Sequence, residues 1–145
     1  MTVTVLRVLG LPAPQGSKRA VPRKGGGVWL QDMGVGLDDW RSAVTTAAAK
    51  YAACWQYVGP TTLAAVFRFP MPASRPKAAK TEGWAWKTTA PDIDKLLRST
   101  CDALTHSALI VDDRIIQLGP ISKIEVWEDW TGAELTLRPA GRMRP

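Results

Sequence analysis

Five aspartates, Asp92, Asp94, Asp102, Asp112 and Asp113, fall between positions 92 and 113 of a chain whose formal net charge is +6. Asp92 and Asp94 stand one residue apart after a proline, and Asp112 and Asp113 stand side by side, in APDIDKLLRSTCDALTHSALIVDDRIIQLGP, residues 90–120. Each has a plain structural explanation. Asp92 follows Pro91 at a helix start and can cap it by accepting the backbone N–H of Lys95. Asp94 suits the positive end of the helix dipole, and Asp112-Asp113 suit a turn before a strand. Together they ask for more. Asp94, Arg98 and Asp102 recur at i, i+4 and i+8 and line one stripe of the helix. The strand after Asp113 must return beside that helix, because only a short connection separates them. Carboxylates gathered within a few ångströms repel one another unless a cation neutralises them. Mg²⁺ or Mn²⁺ takes such oxygen donors together with waters and a substrate phosphate. Hydrolysis of a phosphodiester uses that arrangement to activate water, orient phosphate and stabilise the leaving oxygen.

No other metal chemistry competes. Cys54 and Cys101 lack CxxC spacing and read as two reduced thiols in helix cores. His106 is the only histidine and suits a helix end. No glycine-rich loop ending in GK[ST] is present to cradle a nucleotide.

The cations surround the acids. Residues 1–31 hold Arg7, Lys18, Arg19, Arg23 and Lys24 and no acid. Residues 68–90 add Arg68, Arg75, Lys77, Lys80 and Lys87 against Glu82 alone, and the tail RPAGRMRP, 138–145, adds three arginines. Basic segments about an acidic centre suit a polyanion held by its phosphates, although solubilising surface charge explains them without a partner. Lys18, Arg19, Lys77, Lys80, Lys87 and Lys95 are the candidate DNA contacts.

The elements that must position these residues follow from periodicity. The length of 145 residues fits one domain with a real core. No apolar run approaches a membrane span, and the alternating N-terminus does not read as a signal peptide, so a cytoplasmic location is expected. Residues 2–9 alternate as a strand. Residues 10–27, rich in Pro, Gly and cations, read as a basic loop, and VWLQ as a short strand pairing back. Apolar spacing predicts a helix from Asp38 to about Tyr57, capped by Asp38 or Asp39, and TTLAAVFRF predicts a strand. Residues 70–90 read as a long, mobile basic loop. A second helix runs from Asp92 to about His106, with Leu96, Leu97, Cys101 and Leu104 inward. A strand follows, broken by Gly119-Pro120 and resumed by ISKIEVW, and AELTLR ends the sheet. The fold class expected is α+β: a small mixed sheet against two main helices.

PDIDKLLRSTCDAL followed by the DD pair at Asp112 and Asp113 resembles the RusA family of Holliday junction resolvases, whose pattern is PDxDN, a downstream Lys, DAL, then DD before a strand. PAPQGSKRA, residues 12–20, is similar to the family's N-terminal proline loop. The resemblance implies a homodimeric, Mg²⁺-dependent endodeoxyribonuclease of DNA recombination and repair, of a kind common in phages and prophages. It implies that Asp92, Asp94 and Asp113 hold the metal and act in catalysis, with Asp102 and Asp112 supporting. Lys95 stands where the family has Asn, and Arg98 where it has a functionally important Lys; Arg keeps the charge and grips phosphate with two prongs, but does not donate a proton near neutral pH. Trp84 and Trp86 fit either of two roles, stacking on bases at a junction or packing on the sheet as a flap, and the average burial of aromatics favours the second. A reading from a different class is a DNA-binding module without catalysis, its acidic cluster a structural core salt-bridged to Lys95 and Arg98.

Overall fold

Strict alternation makes β1, Thr4–Leu9, a half-buried strand: Thr4, Leu6 and Val8 are buried and Val5, Arg7 and Leu9 exposed. The same period runs through β4, Thr61–Pro70, and β7, Gly132–Pro139. The computed structural model describes residues 3–16, 18–32 and 36–142. It shows a five-stranded mixed sheet in the order β1-β7-β4-β6-β5, where β6 is Ile116–Val126 and β5 is Trp84–Trp86. β4 and β6 are parallel and the other neighbours antiparallel. One face of the sheet, carrying Leu6, Val8, Leu63, Ala65, Phe67, Leu135 and Leu137, forms a single core with α1, Leu37–Ala49, and α3, Ile93–His106. Inside it the indole N–H of Trp40 on α1 donates to Thr100 Oγ1 on α3 at 3.2 Å. This is the α+β fold expected, with two main helices on a mixed sheet.

β7 approaches β1 so closely that only glycine fits at its start. A Cβ on Gly132 would lie 1.8 Å from the Val8 carbonyl oxygen, and its φ of +140° is one that side-chain-bearing residues avoid.

Several local expectations change. Residues 10–27 are not all loop: β2, Lys18–Pro22, pairs with β3, Val28–Asp32, as a two-stranded ribbon apart from the main sheet. Gly25, Gly26 and Gly27, all at positive φ, make its turn, so the glycines that read as loop are the bend of a hairpin. α1 ends at Ala49, short of Tyr57, and its N-cap is Gly36, with Asp38 and Asp39 in the first turn. Trp55 is buried all the same, because successive turns fold it back, its N–H bonding the Tyr51 carbonyl at 2.9 Å. Cys54 is therefore exposed in a turn rather than set in a helix core, while Cys101 is buried. β6 runs through Gly119-Pro120 without breaking, and the register against β4 shifts between Leu63 and Ala65 to absorb them.

Residues 70–90 also differ from the mobile loop expected. They contain α2, Lys77–Glu82, and the edge strand β5. Pro76 opens the short helix and Gly83, left-handed, closes it. Arg75 pins the segment by two hydrogen bonds, at 2.7 and 2.9 Å, to Glu125, a buried carboxylate on β6. Those bonds hold the Glu125 carboxyl below its ordinary value, against the opposing effect of burial. A depressed carboxyl stabilises the fold above its unfolded pKa, and that contribution fades as pH falls through the folded value. Arg75→Ala is expected to cost about 1–3 kcal/mol at neutral pH, the scale for a buried acceptor left without its donor. In thermal melts the gap between wild type and variant should narrow as the pH falls below the ordinary carboxylate range and through the depressed Glu125 value, past which the carboxyl is neutral in both proteins. Among the described residues no helix is long and apolar enough to cross a membrane.

Candidate active site

The site is built around the first turns of α3. Asp92 takes the N-cap position, with extended backbone and its carbonyl accepting the Leu96 N–H at 3.1 Å. Its side chain makes no cap hydrogen bond, contrary to the bond from Lys95 expected of a capping aspartate. The exposed carboxylate is turned toward the Lys95 ammonium, 3.9 Å away, so Asp92 sits where a cap should be without being used as one. Asp94, in the first turn, is exposed. One turn further on, Arg98 is exposed as well. Neither side chain has a hydrogen-bond or ion-pair partner among the described residues.

The DD pair divides its labour. Asp112 caps a 3-10 turn over Asp113–Ile115, accepting the Arg114 backbone N–H at 2.9 Å and facing the Arg114 guanidinium at 3.0 Å. The backbone bond and then the side-chain bond from Arg114 lower the Asp112 carboxyl. Asp113 is left exposed on a turn that packs against α3. Burial first, then the charges of Asp113 and Asp102, push the Cys101 thiol up to about 11. Cys101 lies two turns after Asp94 on nearly the same helix face, so Asp113 borders the stripe that carries Asp94 and Arg98. Asp102 belongs elsewhere: Arg41 of α1 grips it at 3.3 Å and also bonds the Gln15 side chain. It ties two helices and a loop together beside a cavity of about 590 Å³ lined by Arg41, Thr45 and His106.

Among the described residues, no three carboxylate, imidazole or thiol groups are already gathered to hold a cation. The donor chemistry nonetheless fits Mg²⁺, which binds through one or two carboxylates and keeps several waters. Asp92 and Asp94 offer hard oxygens that no cap bond consumes, and Asp113 offers a third from the neighbouring turn.

The proline loop frames the site from the other side. Ser99, buried in α3, donates its hydroxyl to the Ala13 carbonyl at 2.6 Å, and the Gln15 N–H donates to the Lys95 carbonyl at 3.0 Å. Pro14 then lines a shallow cavity of about 350 Å³ together with Ala90, Pro91, Asp92 and Lys95. Two stretches that sequence alone connects only by resemblance are hydrogen-bonded to each other.

The candidate DNA contacts separate. Lys77 is exposed at the start of α2. Lys80 donates to the Ala73 carbonyl at 2.6 Å and lies over the Trp127 ring, so it braces the α2 segment. Lys87 reaches Thr89 Oγ1 at 3.1 Å and sits above Phe69. The side chains of Lys18 and Arg19 lie outside the described residues. Trp84 and Trp86 pack edge to face with centroids 5.0 Å apart, but they do not cover the sheet as a flap: both are exposed, Trp86 by 61%, on its edge strand.

Lys123, on β6, lies outside both the aspartate motif and the basic segments. Its ammonium donates to the carbonyls of Thr89 and Pro91 at 2.8 and 2.7 Å. The signal was in ISKIEVW, where Lys123 and Glu125 alternate with Ile121 at inward-facing positions.

No curated protein sequence matches the chain. The family model described as Endodeoxyribonuclease RusA matches residues 10–138, taking in the proline loop, both helices of the core, the aspartate motif and every strand from the hairpin to β7. The chain belongs to the RusA endodeoxyribonuclease family.

Proposed function

We propose that the protein is a Mg²⁺-dependent endodeoxyribonuclease that resolves Holliday junctions, or closely related branched DNA, by paired phosphodiester cuts, with Mn²⁺ able to replace Mg²⁺. It acts as a homodimer, one site for each cut strand, in the cytoplasm of a bacterial or phage-infected cell, in DNA recombination and repair. The observation that carries this reading is the state of the α3 N-terminus: Asp92 occupies a cap position without capping, and Asp94 beside it has no partner among the described residues.

Asp92, Asp94 and Asp113 would hold the metal, which when bound supplies Lewis acidity at the scissile phosphate and a water acidic enough to attack near neutral pH. The chain's own residues do the rest. Arg98 faces the phosphate from one helical turn along and offsets charge that builds on its oxygens; being always charged, it serves as a clamp and not as a proton donor. Lys95 sets a second cation beside Asp92, 3.9 Å from it. Lys77 and Lys87 extend the basic surface toward the DNA arms, and Lys18 and Arg19 are further proposed DNA contacts. Asp102 and Asp112 support from behind, one through Arg41 and the other through Arg114.

The non-catalytic alternative needs a salt-bridged acidic core. Arg98, which that reading would pair with a carboxylate, has no such partner among the described residues, and the Lys95–Asp92 contact is long and exposed. Exposed pairs of this kind contribute about 0–1 kcal/mol, too little to justify the cluster as a structural device.

The test is cleavage of a four-way junction, a Y-fork and a linear duplex, each with Mg²⁺ and with EDTA. Symmetric nicks in the junction that appear with Mg²⁺ and vanish with EDTA are expected, with the linear duplex left intact. Equal cutting of all three, or cutting that survives EDTA, would sink the proposal.

A further inference from the structure

We infer that Lys123 is a positioning residue for the catalytic aspartates: it fixes the segment that delivers Asp92 to the head of α3. The inference rests on the proposed nuclease function and names a part of the machinery that the aspartate motif does not contain.

The segment in question, residues 87–91, leaves the edge strand β5 and must turn from the sheet onto α3 within a few residues. It has little else to hold it: Thr88, Thr89 and Ala90 are exposed, and the Lys87 side chain, set over the Phe69 ring, bonds only Thr89 Oγ1. Lys123 secures it at both ends. Its backbone carbonyl accepts the Lys87 N–H at 3.1 Å, and its ammonium bridges the Thr89 and Pro91 carbonyls at 2.8 and 2.7 Å. Pro91 is bonded directly to Asp92, so the second bridge ends one peptide unit from the first candidate ligand.

Charge-assisted bonds to carbonyl oxygens are short and strong, and a half-buried ammonium has reason to keep them. No carboxylate among the described residues pairs with Lys123; its two acceptors are the carbonyls of this one segment. β6 lies inside the sheet between β4 and β5, which makes it a firm base for the grip. The proline loop holds α3 from the far side through Ser99 and Lys95. Asp92 thus stands between two anchors, and at the Lys123 anchor two of the three bonds come from one removable ammonium.

Because an oxygen ligand must meet a small cation within tenths of an ångström, loosening this segment should weaken metal use more than DNA binding. Lys123→Met keeps the aliphatic stem and deletes the three donors. In single-turnover assays on a four-way junction its cleavage rate is expected to fall about 10–100-fold, the usual scale for losing a group that orients a metal ligand. Junction affinity, measured in Ca²⁺ or EDTA, should stay within about twofold of wild type. The Mg²⁺ concentration for half-maximal rate should rise. Amide hydrogen exchange in the free protein should quicken across residues 88–93 while the β4 and β7 amides stay protected. Lys123→Arg, which keeps charge and donors, should recover part of the rate and of the protection, and it replaces the Met variant if that one fails to fold.

A Lys123→Met protein with wild-type rate and Mg²⁺ midpoint overturns the inference. So does one that loses junction affinity but keeps its rate at saturation, since Lys123 would then be a DNA contact. Wild-type protein that cuts no branched DNA under Mg²⁺ would instead overturn the proposed function, and the exchange measurement would still decide whether Lys123 holds the segment.

Discussion

Asp94→Asn is expected to abolish cleavage while junction binding survives or tightens. The substitution preserves the shape of the side chain and removes one negative charge from the first turn of α3, where the carboxylate is exposed and without a partner among the described residues. Nothing in the fold leans on that charge except the helix dipole, whose favourable contribution is about 0.3–1 kcal/mol. The variant should therefore fold normally, and its effect should fall on the chemistry. A metal site that loses one of its carboxylates loses both affinity and orientation, so the single-turnover rate should drop by about 10³-fold or more, comparable with removal of a residue that acts as part of a catalytic unit. Phosphate is repelled by Asp94 when no cation intervenes. Binding measured in EDTA should therefore be unchanged or stronger. Wild-type cutting by Asp94→Asn under Mg²⁺ would show that the catalytic carboxylates are elsewhere.

Arg98→Ala should lower the cleavage rate by about 10²-fold or more, the scale for removing a positioned electrostatic contact to a transition state. Arg98 sits one turn beyond Asp94 and is exposed, and it makes no ion pair with Asp94 or Asp102; Asp102 is taken by Arg41. A free guanidinium beside free carboxylates is available to a phosphate. If charge alone is what it supplies, Arg98→Lys should keep most of the activity, because Lys brings the same unit charge on a more mobile stem. If the two-pronged grip matters, Arg98→Lys should also fall, with ground-state binding little changed. A single-turnover rate for Arg98→Ala within about twofold of wild type, under 1 kcal/mol in barrier, would remove Arg98 from the mechanism.

The parts of the fold that sequence made legible are those with a strong period and a single face. β1, β4, β7 and the inward side of α3 could be read from alternation or from helical spacing, because one buried face writes itself into the pattern. VWLQ could be read as a strand pairing back, but its partner β2 and the α2–β5 segment could not. The α2–β5 residues bury little and are held by particular bonds, such as Arg75 to Glu125 and the Trp127 N–H to the Gly83 carbonyl, which leave no periodic trace. α1 was read too long because Trp55 continues the helical spacing by accident and reaches the core through turns. At the site, the aspartates stood out through their density, but only the family resemblance, and not their spacing, set Asp102 and Asp112 apart from the others. The bonds that show it, Asp112 capping the turn and Asp102 held by Arg41, depend on side-chain direction across elements. Lys123 escaped because a lysine in a strand ordinarily signals an edge or a wet face. Here it points inward and is satisfied by carbonyls from a segment more than thirty residues earlier, a pairing separated by 34 positions for Thr89.

The place of β7 in the sheet carries a consequence for the order in which the molecule comes into being. Although β7 is last in sequence, it lies between β1 and β4, and β1 has no other neighbour in the sheet. While a ribosome has made residues only as far as Asp113, all the aspartates of the motif exist, but Leu6 and Val8 still lack the strand partners Leu135 and Ala133. Long-range pairings of this kind close slowly and late. Ala133, Leu135 and Leu137, fully buried in the finished protein, fill the place between β1 and β4 only after β7 is made. The proposed metal ligands are thus synthesised before the strand that completes the sheet beneath them.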